Sequence, residues 1–179
     1  MRETTIARNY AEALFVVGEK HGLTEKFADL IEGVAGAIEA DVRIRIAMES
    51  PRVPKRTKQD VLRKALSGRA PDEFIRFLAA VVKRGRQGII PLISAEYLRL
   101  VDEKFNRIHA GVTLAREADE SLQHEIRDKL SDVLGKKVIP HYRVDDEILG
   151  GLVVRVNGRT MDGSLRRKLK TLRRKLLSA

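Results

Sequence analysis

The chain has 179 residues, and its 35 Lys and Arg against 25 Asp and Glu give it a formal net charge of +10. The absence of Cys excludes disulfides, thiolate nucleophiles and Cys-ligated metal centres, and the 4 His show no paired metal-ligand spacing. The longest uninterrupted apolar run extends only from Phe77 to Val82, whereas about 20 apolar residues are needed to cross a bilayer. No signal peptide is apparent before Arg8, so we expect a soluble intracellular protein.

The first half of the chain predicts a succession of helices. Thr5 is the candidate N-cap of a first helix that Gly22 ends, and Thr24 opens a second helix. A short third helix around residues 42–48 must stop before Pro51, because the residue preceding a proline is disfavoured in the helical conformation.

Three more helices follow in the same half. Pro54 stands at the start of the fourth, and Pro71 opens a fifth over residues 72–84 that has acids in its first turn and bases in its last. Apolar residues at three- and four-residue spacing predict a long sixth helix over residues 89–108.

After residue 110 the pattern changes to short alternating segments that are rich in branched residues. The pair Asn157-Gly158 is a strong signal for a two-residue hairpin. The predicted elements are a strand at 112–117, a helix from Asp119 to Gly135, strands at 138–144, 148–156 and 159–161, and a helix that Ser164 caps. The sequence therefore predicts an α+β fold, with a six-helix bundle over residues 1–108 followed by a small mixed α/β domain of order βαβββα over residues 109–179.

Motifs for catalysis are missing from this pattern. Neither a phosphate-binding loop nor a nucleophile elbow occurs. We interpret Gly150-Gly151 as a bulge or a close backbone approach, Asp145 to Glu147 as a turn, and His141 as a satisfied or exposed strand residue. An enzyme with a carboxylate site at 145–147 is the least favoured alternative. We expect no catalytic residue, no cofactor and no metal.

Charge is concentrated at the C-terminal end. Residues 155–179 contain nine basic side chains and Asp162 as the single acid, which accounts for most of the net charge. Such a segment is compatible with a solvated helix face, with an acidic protein partner, or with a nucleic acid bound by the last helix.

The first and fifth predicted helices carry unusually wide apolar arcs. Projected at 100° per residue, each arc covers roughly 200°, about twice the width that packing on one core requires. One interpretation makes both helices central members of the bundle. The alternative is a trough between them that accepts an amphipathic helix of another protein.

Four segments resemble one known family. Residues 7–15, ARNYAEALF, resemble the opening ARxYAxALF of the delta subunit of F-type ATP synthases, a relative of the oligomycin-sensitivity-conferring protein. Residues 86–97, RQGIIPLISAEY, and 110–115, AGVTLA, continue the resemblance, and residues 148–169, ILGGLVVRVNGRTMDGSLRRKL, resemble the family's C-terminal signature. Asn157 and Thr160 are small departures from it.

The resemblance implies a non-catalytic stator subunit, which ties the alpha/beta catalytic head to the peripheral stalk so that proton-driven rotation is coupled to ATP synthesis. It places the N-terminal helix of one alpha subunit between the first and fifth helices. The residues implied for this contact are Ile6, Tyr10, Ala13, Val17, Phe74, Phe77 and Val81.

The resemblance also implies that the second domain binds the b subunits of the stalk, and that membrane association at the cytoplasmic face of the bacterial inner membrane occurs only through the complex. We expect the segment 148–156 to form a sheet edge that contacts them together with the basic last helix. The residues predicted there are Val154, Arg155, Arg166, Arg167, Lys170 and Arg174. The alternative of a basic nucleic-acid-binding protein remains open at this point.

Overall fold

A computed structural model describes residues 2–177, which fall into two compact units that divide between Glu103 and Lys104. The first unit is helical, as predicted. Its helices are α1 (Arg2–His21), α2 (Thr24–Ala40), α3 (Val42–Glu49), α4 (Lys55–Leu66), α5 (Asp72–Lys83) and α6 (Ile90–Lys104), with a 3₁₀ turn at Gln87–Ile89 before α6.

Aromatic side chains form the centre of the helical unit. Phe27 and Phe74 are fully buried, with ring centroids 5.5 Å apart, and the Tyr97 hydroxyl donates to the Thr24 carbonyl oxygen at 3.0 Å. A Cβ on Gly18 would lie 2.9 Å from that hydroxyl, so α1 approaches α6 closely only because glycine occupies the position. Burial raises the pKa of Tyr97 well above its ordinary value, which keeps the phenol a hydrogen-bond donor.

Two predicted helix boundaries are wrong. Helix α1 begins at Arg2, before the proposed cap Thr5. Helix α6 ends at Lys104 and does not reach residue 108, because Asn106 adopts a left-handed conformation with φ of 49° and turns the chain into the sheet. The apolar periodicity extends past the true end, since Ile108 packs against the core of the second unit instead.

The second unit has the predicted order βαβββα. Its elements are β1 (Arg107–Leu114), α7 (Glu120–Leu134), β2 (Lys137–Val144), β3 (Leu152–Val156), β4 (Arg159–Asp162) and α8 (Leu165–Leu177), with a 3₁₀ turn at Asp146–Ile148. The sheet order is β2-β1-β3-β4. β1 and β2 are parallel, and the other two pairs are antiparallel.

One face of this sheet packs against α7. Val112, Val138 and Val154 are almost completely buried there together with Ile126 of α7. Because side chains alternate along a strand, the opposite face carries exposed residues such as Arg155. Helix α7 is bounded as predicted, since the Asp119 side chain accepts from Leu122 N and Gly135 ends the helix at a φ of 62°.

The prediction of one strand over 148–156 is wrong in its first half. Residues Leu149, Gly150 and Gly151 all have positive φ, so the chain turns sharply before β3. A Cβ on Gly151 would lie 2.5 Å from the Gly163 carbonyl oxygen, which supports the interpretation of a close backbone approach. β3 is also not a sheet edge, because it lies between β1 and β4.

Candidate partner-binding sites

Helix α1 separates its apolar residues into two stripes. Ala7, Ala11 and Leu14 are completely buried in the bundle. The neighbouring stripe, which the sequence predicted as the docking edge, is only partly covered: Ile6, Tyr10 and Val17 are half-buried, and Ala13 is exposed. An incoming helix could therefore reach all four side chains.

The predicted docking edge of α5 needs correction. Phe74 and Val81 are fully buried, so neither can contact a partner, and both belong to the bundle core. Only Phe77 of the predicted α5 residues is partly exposed, and its ring meets Tyr10 edge to face at a centroid distance of 6.3 Å. The sequence pattern could not separate these residues, because all three lie within the same apolar arc.

Helix α4 covers the other flank of α5. The Gln59 side-chain amide donates to the Ala79 carbonyl oxygen at 2.7 Å, and Lys55 Nζ donates to the Lys83 carbonyl oxygen at 3.0 Å. The flank that remains open carries Phe77 and, one helical turn later, the exposed Ala80. Ala80 was missed in the sequence, although its spacing from Phe77 was a usable signal.

Between α1 and the end of α5 lies a depression of about 450 Å³ that is lined by Ile6, Asn9, Tyr10, Ala13, Arg84 and Arg86. We call this surface, with Val17, Phe77 and Ala80, the α1–α5 groove. Its floor is apolar and its end is basic, since Arg84 and Arg86 are both exposed. Such a groove suits an amphipathic helix that carries acidic residues beside its apolar stripe.

The predicted site residues of the second unit divide in a similar way. Val154 is 1% exposed and faces α7, so the prediction that it contacts a partner is wrong. Its neighbour Arg155 lies on the opposite, exposed face of the sheet, beside Gly111 of β1. Val154 and Arg155 were both predicted as partner contacts because they are adjacent in sequence. Side chains alternate along a strand, however, so the two lie on opposite faces of the sheet.

The four predicted residues of the last helix are all exposed: Arg166, Arg167, Lys170 and Arg174. They line, with Asp162, Ser164, Thr171 and Arg173, an open cleft of about 1010 Å³. The Asp162 pKa is lowered by its hydrogen bonds from Ser164, so the carboxylate remains charged where it orders the start of α8. Arg166 also pairs with Glu147 at 3.3 Å.

Residues that could have carried catalysis have structural partners. Asp145 accepts a hydrogen bond from Glu147 N, as expected of a turn, and His141 Nε2 lies 2.8 Å from His109 Nδ1 on the exposed sheet face. Within residues 2–177, no three His, Asp or Glu side chains come together in a way that could hold a metal ion. No helix in that part of the chain is long and apolar enough to span a bilayer.

Comparison with known proteins shows which family has this sequence. The family model described as ATP synthase delta (OSCP) subunit matches residues 6–176. A protein of Gemmatimonas aurantiaca called ATP synthase subunit delta is 47% identical over 172 residues, covering 96% of this chain and 93% of the relative. The protein of that name from Desulforamulus reducens is 33% identical over 178 residues, covering 99% and 98%.

A solved structure shares the fold. A chain of the cryo-EM structure of the Toxoplasma gondii mitochondrial ATP synthase hexamer superposes with a TM-score of 0.63 at 20% identity, covering 96% of this chain and 97% of that one. The two-unit α+β fold is therefore one that also occurs in a chain of an ATP synthase. The chain belongs to the ATP synthase delta (OSCP) subunit family, and it is a structural subunit of the peripheral stalk. Nothing in these likenesses supports the nucleic-acid alternative.

Proposed function

We propose that the chain holds the catalytic head of ATP synthase through the α1–α5 groove, which binds the N-terminal amphipathic helix of one alpha subunit. The observation that carries this proposal is the partly exposed apolar stripe of Ile6, Tyr10, Ala13 and Val17 beside Phe77. The chain performs no catalysis of its own in this role. It transmits torque between the head and the stalk.

Burial of apolar surface accounts for a slow release. At roughly 25 cal/mol per Å², removing about 600 Å² of apolar area contributes on the order of 15 kcal/mol before the costs of ordering and association. Tyr10 and Phe77 already pack against each other in the free chain, so these two side chains need little further ordering on binding. Tight binding of this kind depends mainly on a low off-rate, as a stator contact requires.

The second unit faces the stalk in this proposal. Arg155, Arg166, Arg167, Lys170 and Arg174 are exposed and basic, which suits the b subunits if their contacting surfaces are acidic. Membrane association at the cytoplasmic face of the bacterial inner membrane then occurs through the complex. The two units thus hold different partners.

A fluorescence titration tests the groove. The chain contains no Trp, so a Trp-bearing peptide that copies the alpha-subunit N-terminus reports binding directly. We expect submicromolar binding that changes little with salt and that Ala13→Asp abolishes, because a carboxylate would be buried against the peptide. Ala37→Asp on α2 is the matched control, since Ala37 is also exposed but lies outside the groove. A folded protein that fails to bind the peptide contradicts the proposal.

A further inference from the structure

Helix α8 carries an apolar stripe that its own unit leaves largely uncovered. The stripe consists of Leu165, Leu169, Leu172 and Leu176, which are 47%, 58%, 55% and 72% exposed. Apolar surface of this kind is rarely left contiguous on a monomeric protein without a function. The charge of this segment predicted an exposed basic helix but gave no indication of the stripe.

The four leucines are spaced as in the seam of a coiled coil. They follow one another at intervals of four, three and four residues, which is the alternation of a and d positions in a heptad. At 100° per residue the stripe spans only about 60°, narrower than the arc of about 100° with which a helix packs on a globular core. A seam this narrow fits one partner helix better than the broad apolar face with which amphipathic helices enter a lipid surface.

The residues beside the seam are basic. With Leu165 and Leu172 at d, Arg166 and Arg173 occupy e positions and Lys168 occupies a g position. Residues at e and g face the partner helix in a coiled coil and determine which partner is accepted. A second copy of α8 would place like charges across the seam, which disfavours a homodimer.

The first turn of α8 is fixed by hydrogen bonds. The Ser164 hydroxyl accepts from Arg167 N at 3.2 Å, and Leu165 N donates to the Gly150 carbonyl oxygen at 2.9 Å. From Arg166 to Arg174 every side chain is exposed except Thr171, which is half-buried. The helix is therefore presented with both its seam and its basic flanks accessible.

We propose that α8 is one strand of a heterotypic coiled coil, whose other strand is a helix with apolar a and d residues and with Glu or Asp at e and g. The proposal deepens the stalk-facing role given above and rests on it, because the occupant is an acidic helix of the peripheral stalk. It assigns the contact to the leucine seam, with the arginines acting as selectors of the partner.

Binding of designed helices to the full chain tests this assignment. The probe is a labelled three-heptad peptide with Leu at a and d and Glu at e and g, whose own acids keep it monomeric. The comparison peptide has Lys at e and g. By fluorescence anisotropy at low salt, we expect the acidic peptide to bind about tenfold tighter or more than the basic one.

Variants separate the seam from charge alone. Leu169→Ser and Leu172→Ser should each weaken the acidic peptide about tenfold, because both side chains are exposed and their loss leaves the fold intact. Val133→Ser on α7 is the control, since Val133 is 75% exposed outside the seam. Binding that survives Leu169→Ser, equal binding of both peptides, or no binding of either overturns the proposal.

Other occupants give distinct outcomes. A chain that sediments as a dimer and becomes monomeric with Leu172→Ser overturns the proposal in favour of self-association. Binding to anionic vesicles or duplex DNA, with no preference for the acidic peptide, also overturns it. Binding of the alpha-subunit peptide to the α1–α5 groove is measured in the same samples. If that peptide binds while the acidic peptide does not, the proposal for α8 is overturned and the head-binding role is unaffected.

Discussion

The α1–α5 groove and helix α8 are two exposed apolar surfaces with different support beneath them. The groove is formed by α1 and α5, both of which contribute fully buried residues to the bundle core, and Tyr10 of α1 meets Phe77 of α5 edge to face. Helix α8 is held at its first turn, and its side chains from Arg166 to Arg174 are exposed apart from the half-buried Thr171. A preformed surface loses little entropy when it binds, whereas a short isolated helix is ordered fully only by its partner.

This difference also separates the two surfaces in their response to salt. Binding in the groove buries apolar area and should be nearly independent of ionic strength. Pairing along α8 also depends on exposed charges at its flanks, and added salt weakens such exposed pairs by screening, with a Debye length of about 10 Å at 0.1 M. One chain thus offers two attachment points whose strengths respond to different conditions.

The largest expected effect distinguishes core from groove on α5. Phe74→Ala should lower the free energy of unfolding by about 3–5 kcal/mol, because its ring is fully buried against Phe27. Phe77→Ala should cost less than about half of that, since its ring is partly exposed, but it should weaken binding of the alpha-subunit peptide. Urea unfolding and peptide titration measure both, and equal stability losses would refute the division of α5 into two stripes.

The next effect tests the tight turn that positions α8. In the Gly151→Ala variant, the alanine would adopt an unfavourable φ of 77°, and its Cβ would lie 2.5 Å from the Gly163 carbonyl oxygen. Gly158→Ala is the matched control, because its φ of 74° is similar and its Cβ would meet nothing within 4 Å. We expect about 1–2 kcal/mol of destabilisation for Gly158→Ala and clearly more for Gly151→Ala. If thermal unfolding shows the same destabilisation for both variants, the close approach of Gly151 to the Gly163 carbonyl oxygen does not contribute to stability.

A smaller effect checks the two faces of β3. Val154→Ala should destabilise the second unit by about 2 kcal/mol, through lost apolar burial and the cavity left beside Ile126. Arg155→Ala should change stability by less than about 0.5 kcal/mol, because its side chain is exposed. Chemical denaturation of both variants is the measurement. A larger loss for Arg155→Ala would mean that the sheet faces have been assigned the wrong way round.

The smallest effect is a pH dependence at the start of α8. Hydrogen bonds from Ser164 hold the pKa of Asp162 below its ordinary value of 3.8 in the folded chain. The carboxylate therefore contributes stability above that value, and the contribution is lost as the pH falls through the lowered folded-state pKa. Asp162→Asn should give a flatter stability profile between neutral and acid pH than the natural chain, and identical profiles would contradict this.

Much of the fold follows from local signals in the sequence. Pro54 and Pro71 lie immediately before α4 and α5, Asp119 caps α7, and the Asn157-Gly158 hairpin joins β3 to β4. The α+β class and the element order are confirmed for this reason. The predicted end of α6 is wrong because Ile108 continues the apolar spacing of the helix although it lies in β1. Periodicity alone cannot distinguish these two cases.

The candidate sites were less predictable, because exposure depends on contacts that are distant in sequence. An apolar arc of about 200° indicates that α5 has more apolar surface than one neighbour requires, but not which residues its neighbours cover. Packing buries Phe74 and Val81 and leaves Phe77 and Ala80 accessible. In α8 the leucine spacing was a usable signal in the sequence, but the basic residues between the leucines indicate only a charged, exposed helix.

Site-specific cross-linking from the groove tests the central claim most directly. The natural chain contains no Cys, so Ala13→Cys carries a single benzophenone maleimide into the assembled ATP synthase. We predict an ultraviolet-dependent cross-link to the N-terminal segment of an alpha subunit, with no such product from Ala37→Cys labelled in the same way. Assembled complexes in which Ala13→Cys gives no alpha-subunit product, or in which both positions give it equally, would contradict the account.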